Sequence, residues 1–429
     1  MNPVIVIPTF YTSTKQGYSD NIVETYDHPT PIDKTGDLPR LLNSLLKVKY
    51  LGQIIVLVSA DEDIEIQATE KVQQIAGTYK DLNIIVIGNP EFLLIKHRLS
   101  QLGITNLDKE ISLKGYSALR NLGLLISHNL GYDSVVFLDD DEVVDDPEFL
   151  TKAVYGLGKL TRKGVPILAK TGFYYNEKGS YLSKHKTRWY DHYWQQSQAF
   201  NEWISQAIRG PRLSRSNHVC GGCLALHREA FKRLSFDPWV VRGEDLDYML
   251  NLRMYGSDIW FDNAWSLRHL PPRRKNEGLR FRQDIYRWIY ESKKMEYSKT
   301  QIDLIQINPA SLKPYPGPFL EPGIEKRVKL TAWLRSLVRK DRRNYRRAAK
   351  DSTHAALEYA EENCSKYFKF QFMWPEIMNR VENDQILKSA LLQSAARSSY
   401  EVDYQKLKAV ITGIDPGATG EIHLNLSDK

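Results

Sequence analysis

Short apolar runs alternate with stretches of helical spacing through the first 150 residues. Residues 3–8 (Pro-Val-Ile-Val-Ile-Pro), 54–58 and 83–87 read as strands, because brief runs of β-branched and aliphatic residues suit a strand covered on both faces. Between them, residues 38–46 and 64–76 place apolar side chains three and four apart, the spacing of a helix that buries one face. A further helix is predicted over 116–130, with Gly131 placed to close it in the left-handed conformation. A polar excursion over 10–37 is the one long interruption. Strands alternating with helices predict an α/β fold, a Rossmann-like mixed sheet flanked by helices.

The next apolar run, Val135-Val136-Phe137-Leu138, ends in Asp139-Asp140-Asp141. Three like charges at a strand end raise repulsion and disfavour ionisation unless a cation shares the site. Hard oxygen ligands suit Mg²⁺ or Mn²⁺, and such an ion commonly completes its shell with substrate phosphates. Asp139 and Asp141 are therefore candidate metal ligands and Asp140 a neighbour of the same ligand. The acids that follow, Asp145 and Asp146 before Pro147, fit the first turn of a helix instead. In open α/β sheets ligands bind beyond the carboxyl ends of the strands. Pro8-Thr9, Ser59-Ala60-Asp61 and Asp139 to Asp141 all fall at such ends, so three distant motifs are expected to face one crevice.

Further along, residues 164–170 read as another strand, followed by an aromatic-rich stretch over 173–203 that suits core packing or a sugar site. Cys220-Gly221-Gly222-Cys223 precedes a short strand and helix, and its glycines permit close backbone approach to a ligand. The Cys spacing suits a zinc or redox pair, but no second pair accompanies it. Arg242-Gly243-Glu244-Asp245 opens a helix that runs to Tyr255 and stops at Gly256. Acids there serve as helix caps or as reactive carboxylates. His269 follows a strand-like run, and Arg273 and Arg274 beyond it are suited to phosphate. From residue 276 onward the pattern turns helical, with a proline-rich linker at 308–323. Two regions are expected, a catalytic domain over 1–275 and a mainly helical region over 276–429.

Composition narrows the class. With 42% hydrophobic and 26% charged residues the chain has the make-up of a globular protein. No apolar run approaches the ~18 residues of a membrane span, and the chain opens on a strand without a basic leader. Its 3 cysteines do not form a disulfide framework. A cytoplasmic location is expected. Residues 1–275 hold 33 Lys+Arg against 32 Asp+Glu, whereas residues 324–350 hold 11 against 2, so the basic surplus is local. A near-neutral first part with an acid-lined crevice argues against a nucleic-acid-binding protein despite the pI of 9.0.

Taken in order, the Pro8-Thr9 strand end, Asp61, Arg120-Asn121, the Asp139/Asp141 pair and Gly243-Glu244-Asp245 resemble the nucleotide-sugar glycosyltransferases of GT-A fold. Glycosyltransferase family 2 is the nearest in pattern, over roughly residues 1–275. The resemblance implies a metal-dependent transfer of a sugar from a nucleoside-diphosphate sugar to an acceptor hydroxyl, on a glycan, a lipid or a small molecule. It implies that Asp61 holds the base, that Pro8, Thr9, Arg120, Asp139, Asp140, Arg273 and Arg274 border the donor, and that Asp139 and Asp141 take Mn²⁺ or Mg²⁺. Asp245, with Glu244 beside it, becomes the catalytic carboxylate, and Gly221, Gly222, Trp239 and Arg242 border the acceptor. His269 matches a metal-ligating histidine of retaining members such as mannosylglycerate and glucosyl-phosphoglycerate synthases, while the carboxylate order suits inversion. A sugar-nucleotide pyrophosphorylase is the rival enzyme, but the first strand ends in Pro8-Thr9-Phe10-Tyr11 rather than a glycine-rich phosphate loop.

One surface feature stands apart. Leu330, Trp333, Leu334, Leu337 and Val338 form one apolar helix face with Arg335, Arg339, Lys340, Arg342 and Arg343 as neighbours. Such a stripe either packs on the rest of the protein or lies on an anionic membrane, which would place the protein peripherally on the inner membrane face.

Overall fold

Alternate residues of the first strands point to opposite faces of a sheet, and both faces are buried. Val4, Val6, Ile55, Leu57, Ile85 and Ile87 enter one core, and Ile5, Ile7, Ile54, Val56, Ile84 and Val86 enter another. That is the two-sided burial expected of parallel strands covered by helices. The computed structural model describes residues 1–13, 26, 28–183, 188–272 and 277–395. Its strands, in chain order, are β1 (Pro3–Thr12), β2 (Thr30–Pro31), β3 (Gln53–Ala60), β4 (Asn83–Ile87), β5 (Ser134–Phe137), β6 (Glu142–Val143), β7 (Ala169–Tyr175), β8 (Leu213–Arg215), β9 (Leu224–His227) and β10 (Ile259–His269). The helices are α1 (Leu38–Leu45), α2 (Glu65–Gly77), α3 (Asn89–Gln101), α4 (Tyr116–Leu130), α5 (Phe149–Val154), α6 (Gln196–Arg209), α7 (Arg228–Phe231), α8 (Glu244–Met254), α9 (Glu277–Ser298), α10 (Ile324–Val338), α11 (Arg342–Arg347), α12 (Thr353–Glu382) and α13 (Gln385–Ala395).

The strands order as β4-β3-β1-β5-β9-β7-β10-β6, with β2 on β1 and β8 on β10. β4, β3, β1 and β5 are parallel, and β9 runs antiparallel to both β5 and β7. The chain steps outward from β1 to β4 and then returns to set β5 on the other side of β1. That reversal is the topological switch point at which α/β sheets open a crevice.

The expected mixed sheet flanked by helices, with a helical C-terminal region, is present. The first strand runs past Pro8 to Thr12, because the missing Pro8 N–H faces the β5 side, where pairing with β1 ends at Val6. The strand expected at 164–170 forms instead over Ala169–Tyr175. Gly164 adopts positive φ and Pro166 makes only an isolated bridge to Leu160, so the ladder starts later. α4 matches its expected limits, and Gly131 closes it in the left-handed conformation. The 308–323 linker folds into two short 3₁₀ turns, Pro309–Leu312 and Gly317–Phe319.

The C-terminal helices share a core with the sheet. Ile285, Trp288, Val328, Ala332, Tyr367 and Trp374 join the cluster that holds Val6, Leu57 and Phe137. A buried ionic group fastens α9 to α8: Lys294 Nζ reaches Asp237 Oδ2 at 2.6 Å and Asp247 Oδ1 at 2.5 Å. Among the described residues no helix is long and apolar enough to cross a membrane.

Candidate active site

At the switch point, the carboxyl ends of β1 and β5 open into a cleft of about 570 Å³. Beyond Phe137 the chain keeps one more bond to β1, Leu138 N to Val6 O at 3.1 Å. It then turns, and the turn is closed by Glu142, whose Oε2 accepts from Asp139 N at 2.9 Å. Asp139, Asp140 and Asp141 therefore occupy the bend itself. Each has its own partner. Thr9 Oγ1 donates to Asp140 Oδ2 at 2.6 Å, Arg120 Nη2 approaches Asp139 Oδ1 at 3.4 Å, and His269 Nε2 lies 3.3 Å from Asp141 Oδ2. β6 pairs His269 with Glu142, and this short antiparallel contact carries His269 across 128 residues of sequence to Asp141.

Crowding of the acids shows in their ionisation. Desolvation in the cleft raises the Asp139 carboxyl to about 6 even though Arg120 opposes it. Burial, with Asp141 and Asp139 nearby, raises Asp140 to about 8 against the Thr9 hydrogen bond. Burial also acts against ionisation of Asp141, but the hydrogen bond and charge of His269 outweigh it and hold that carboxyl below its ordinary value. A desolvated bend of hard oxygen donors with this surplus of negative charge fits a divalent cation such as Mg²⁺ or Mn²⁺. Among the described residues no three of His, Cys, Asp and Glu already converge as a metal set, since Asp139 leans to Arg120 and Asp141 to His269.

Arg120, on α4, joins the two halves of the site. It is 3% exposed, with Nε 3.0 Å from Glu244 Oε1 and Nη1 donating to Gly221 O at 3.0 Å. Its guanidinium lies over the Phe137 ring at 4.8 Å. The glycine pair makes room for these neighbours. A Cβ on Gly221 would stand 2.8 Å from Arg120 Nη2, and one on Gly222 would stand 2.1 Å from Glu142 Oε1.

The first turn of α8 sends its three acids in three directions. Glu244 turns back to Arg120, and Asp247 enters the core on Lys294. Asp245 is half-buried on the cleft wall, where Oδ1 accepts from Leu246 N at 2.7 Å and Oδ2 lies against Gly221. Helix capping alone would not separate them in this way.

The remaining expected residues divide. Pro8, Gly221 and Arg242 line the cleft. Thr9 is buried behind Asp140. Asp61 sits at the end of β3 outside the cleft wall, its Oδ2 held by Thr12 Oγ1 at 2.7 Å and Ser13 N at 2.9 Å. Two acceptor-side expectations need correction. Gly222 faces the Glu142 side chain rather than a ligand. Trp239 is a core residue, buried near Phe370 and giving its carbonyl to Tyr359, because a large ring in this loop gains more by burial under α12. Cys220 and Cys223 are buried free thiols whose pKa values burial pushes well up, which suits neither a metal nor a redox pair. Arg273 and Arg274 lie outside the described residues.

Several lining residues lacked an obvious sequence signal. The Tyr174 hydroxyl oxygen accepts from Gly222 N–H at 2.7 Å, and its ring rests 4.8 Å from the His269 ring. Phe173, Tyr175, Tyr181 and Phe200 border a side chamber of about 260 Å³ next to His269, so part of the aromatic stretch does line space while Trp203 goes to the core. Arg280, Asp284 and Arg287 of α9, Arg335 of α10 and Arg339 just past its end also line the cleft. The spacing of the first three, four and three residues apart, places them on one helix face, and that was the available clue.

No family model matches the chain, and no curated protein matches it. Among solved structures, it is similar to a mannosyltransferase from Pyrobaculum calidifontis in complex with GDP-Man and Mn²⁺, at 14% identity and a TM-score of 0.42, covering 92% of this chain and 86% of that one. A mycobacterial protein shows 16% identity and a TM-score of 0.36 over 68% and 74%. A structure of GalNAc-T7 with UDP, GalNAc and Mn²⁺ shows 14% identity and a TM-score of 0.40 over 79% and 57%.

Proposed function

We propose that this protein is a metal-dependent glycosyltransferase that moves a sugar from a nucleoside-diphosphate sugar to an acceptor hydroxyl with inversion. The observation that carries this reading is the Arg120 bridge. It holds the strand-end acids and the Gly-Glu-Asp helix start on one cleft wall although 105 residues separate Asp139 from Glu244. Asp139, Asp141 and His269 would hold Mn²⁺ or Mg²⁺, which when bound offsets charge on the leaving diphosphate. Asp245 takes the proton from the acceptor hydroxyl as general base. Its Oδ1 is fixed by the Leu246 N–H and its Oδ2 faces the Gly221 backbone, so one oxygen orients the group and the other meets the acceptor. Glu244 and Arg120 hold that helix end in place.

A thermal-shift series with nucleoside diphosphates, with and without Mn²⁺, tests the donor side. One nucleotide is expected to stabilise the protein only with the metal, by ~2.7 kcal/mol at 100 times its dissociation constant. Asp141→Ala is expected to remove the metal-dependent part and to abolish turnover. Metal-independent responses, or turnover indifferent to a chelator, would reject the assignment.

A membrane-bound acceptor is favoured by the orientation of α10. Its packed side is Ile324, Val328, Thr331, Ala332 and Ser336, so of the apolar stripe only Leu334 is half-buried and the other four side chains are exposed. Trp333 is 54% exposed and Leu337 49%, with Leu330 and Val338 beside them. Arg335 and Arg339 turn inward to Asp191 and Glu277, whereas Lys326, Lys329, Lys340, Arg342 and Arg343 remain exposed. Each such cation near an anionic surface contributes ~1 kcal/mol. Co-sedimentation with anionic vesicles is expected at low salt, to weaken at high salt and to fall with Trp333→Ser. No co-sedimentation at low salt would leave a soluble acceptor.

A further inference from the structure

The cleft is also lined by a buried arginine, Arg287, that lacks a direct ion-pair partner among the described residues. Arg287 projects from α9 and is 8% exposed. Among the described residues it makes no ion pair, and its Nε has no hydrogen-bond partner. Its guanidinium packs against Gly243, where a Cβ would come within 2.1 Å of Cζ. Gly243 precedes the first turn of α8, so the cation sits at the positive end of a helix dipole, where a cation is disfavoured. Two acids lie a turn away on α9: Asp284, which approaches Arg242 at 3.7 Å, and Glu291, which is fully buried and whose pKa burial pushes well up. The Trp288 face at 4.7 Å gives partial compensation.

The surroundings describe an anion seat. Arg242, Arg280 and Asp284 line the same cleft, with Asp284 3.7 Å from Arg242. Asp245 and Arg287 both act on the His218 and Tyr315 side chains, and Asp284 acts on Tyr315 as well, which places the candidate base and the arginine around one pair of residues. Guanidinium groups bind carboxylates and phosphates through charge-assisted, often paired hydrogen bonds. Burial strengthens such bonds.

We propose that the acceptor is an anion, a hydroxyl compound whose carboxylate or phosphate binds Arg287 with Arg242 and Arg280 while its hydroxyl reaches Asp245. This rests on the glycosyl-transfer reading and names the acceptor class for the same cleft. The phosphate of a soluble monoester and that of a lipid head group share this chemistry.

The test uses the full chain saturated with the stabilising nucleoside diphosphate and Mg²⁺, so that the donor subsite is filled, and titrates inorganic phosphate at constant ionic strength. A second, saturable rise in melting temperature is expected. Arg287→Gln is expected to weaken phosphate about tenfold or more, as loss of one charge-assisted hydrogen-bonding group does, while keeping the nucleotide response. If Arg287→Gln does not fold, Arg280→Gln on the more open part of α9 carries the same comparison. Displacement of phosphate by glycerol 1-phosphate identifies a soluble acceptor, and displacement by phosphatidylglycerol vesicles a lipid one. A nucleotide response with no further response to phosphate overturns the proposal, as does loss of the nucleotide response in Arg287→Gln, which would give the arginine to the donor. Absence of any nucleotide response in the parent protein overturns the transferase reading itself.

Discussion

Asp245→Asn is expected to lower sugar transfer by about 10²- to 10⁴-fold, the usual contribution of a positioned general base, while nucleotide affinity stays near that of the parent. The amide has the shape of the carboxylate and its oxygen still accepts from Leu246 N, so the start of α8 keeps its geometry. What is lost is the basic oxygen facing Gly221. Initial rates at saturating donor, paired with calorimetric titration of the nucleoside diphosphate, separate the two effects. A drop in affinity as large as the drop in rate would place Asp245 in the donor subsite. Glu244→Gln serves as the companion variant: it weakens the hold on Arg120 without removing the base, so a smaller loss of rate is expected.

Replacing Lys294 by Met should be the most damaging change to stability, at about 3–5 kcal/mol, because it leaves partners of a buried ion pair uncompensated. Lys294 is fully buried between Asp237 and Asp247, and Tyr290 also donates to Asp237 at 2.8 Å. The ammonium lies 3.8 Å from the centre of the Tyr367 ring, so α8, α9 and α12 all meet at this one charge. Denaturant titration of the variant against the parent measures the loss. A change under 1 kcal/mol would mean that the two carboxylates find other compensation, for instance by taking up protons.

How much of this was legible in the sequence follows from the range of the interactions involved. The strand at 83–87 and the helix at 116–130 are fixed by local spacing and a terminal glycine, and both appear at their expected limits. The acid bend was legible because three carboxylates after an apolar run have few stabilising explanations. His269 was reached through family pattern, and the β6 to β10 pairing is what places it beside Asp141. Trp239 and Gly222 were misassigned because their neighbours, Phe370 and Glu142, arrive from elsewhere in the chain. The same limit hid Arg287. Helical spacing shows which residues share a face, but only tertiary packing decides that this face looks into the cleft rather than into water.

The common core of sheet and C-terminal helices bears on how this protein can be engineered. The wall carrying Arg280, Arg287 and Arg335 is built from α9 and α10, which also bury Trp288 and Val328 in the core shared with the sheet. If the acceptor binds as proposed, its recognition is therefore not a detachable cassette. A chimaera that exchanges the helical region for that of another protein inherits a new wall only if it also inherits a matching apolar underside. Specificity is better redirected by point changes on the cleft-facing positions of α9 and α10 than by segment exchange.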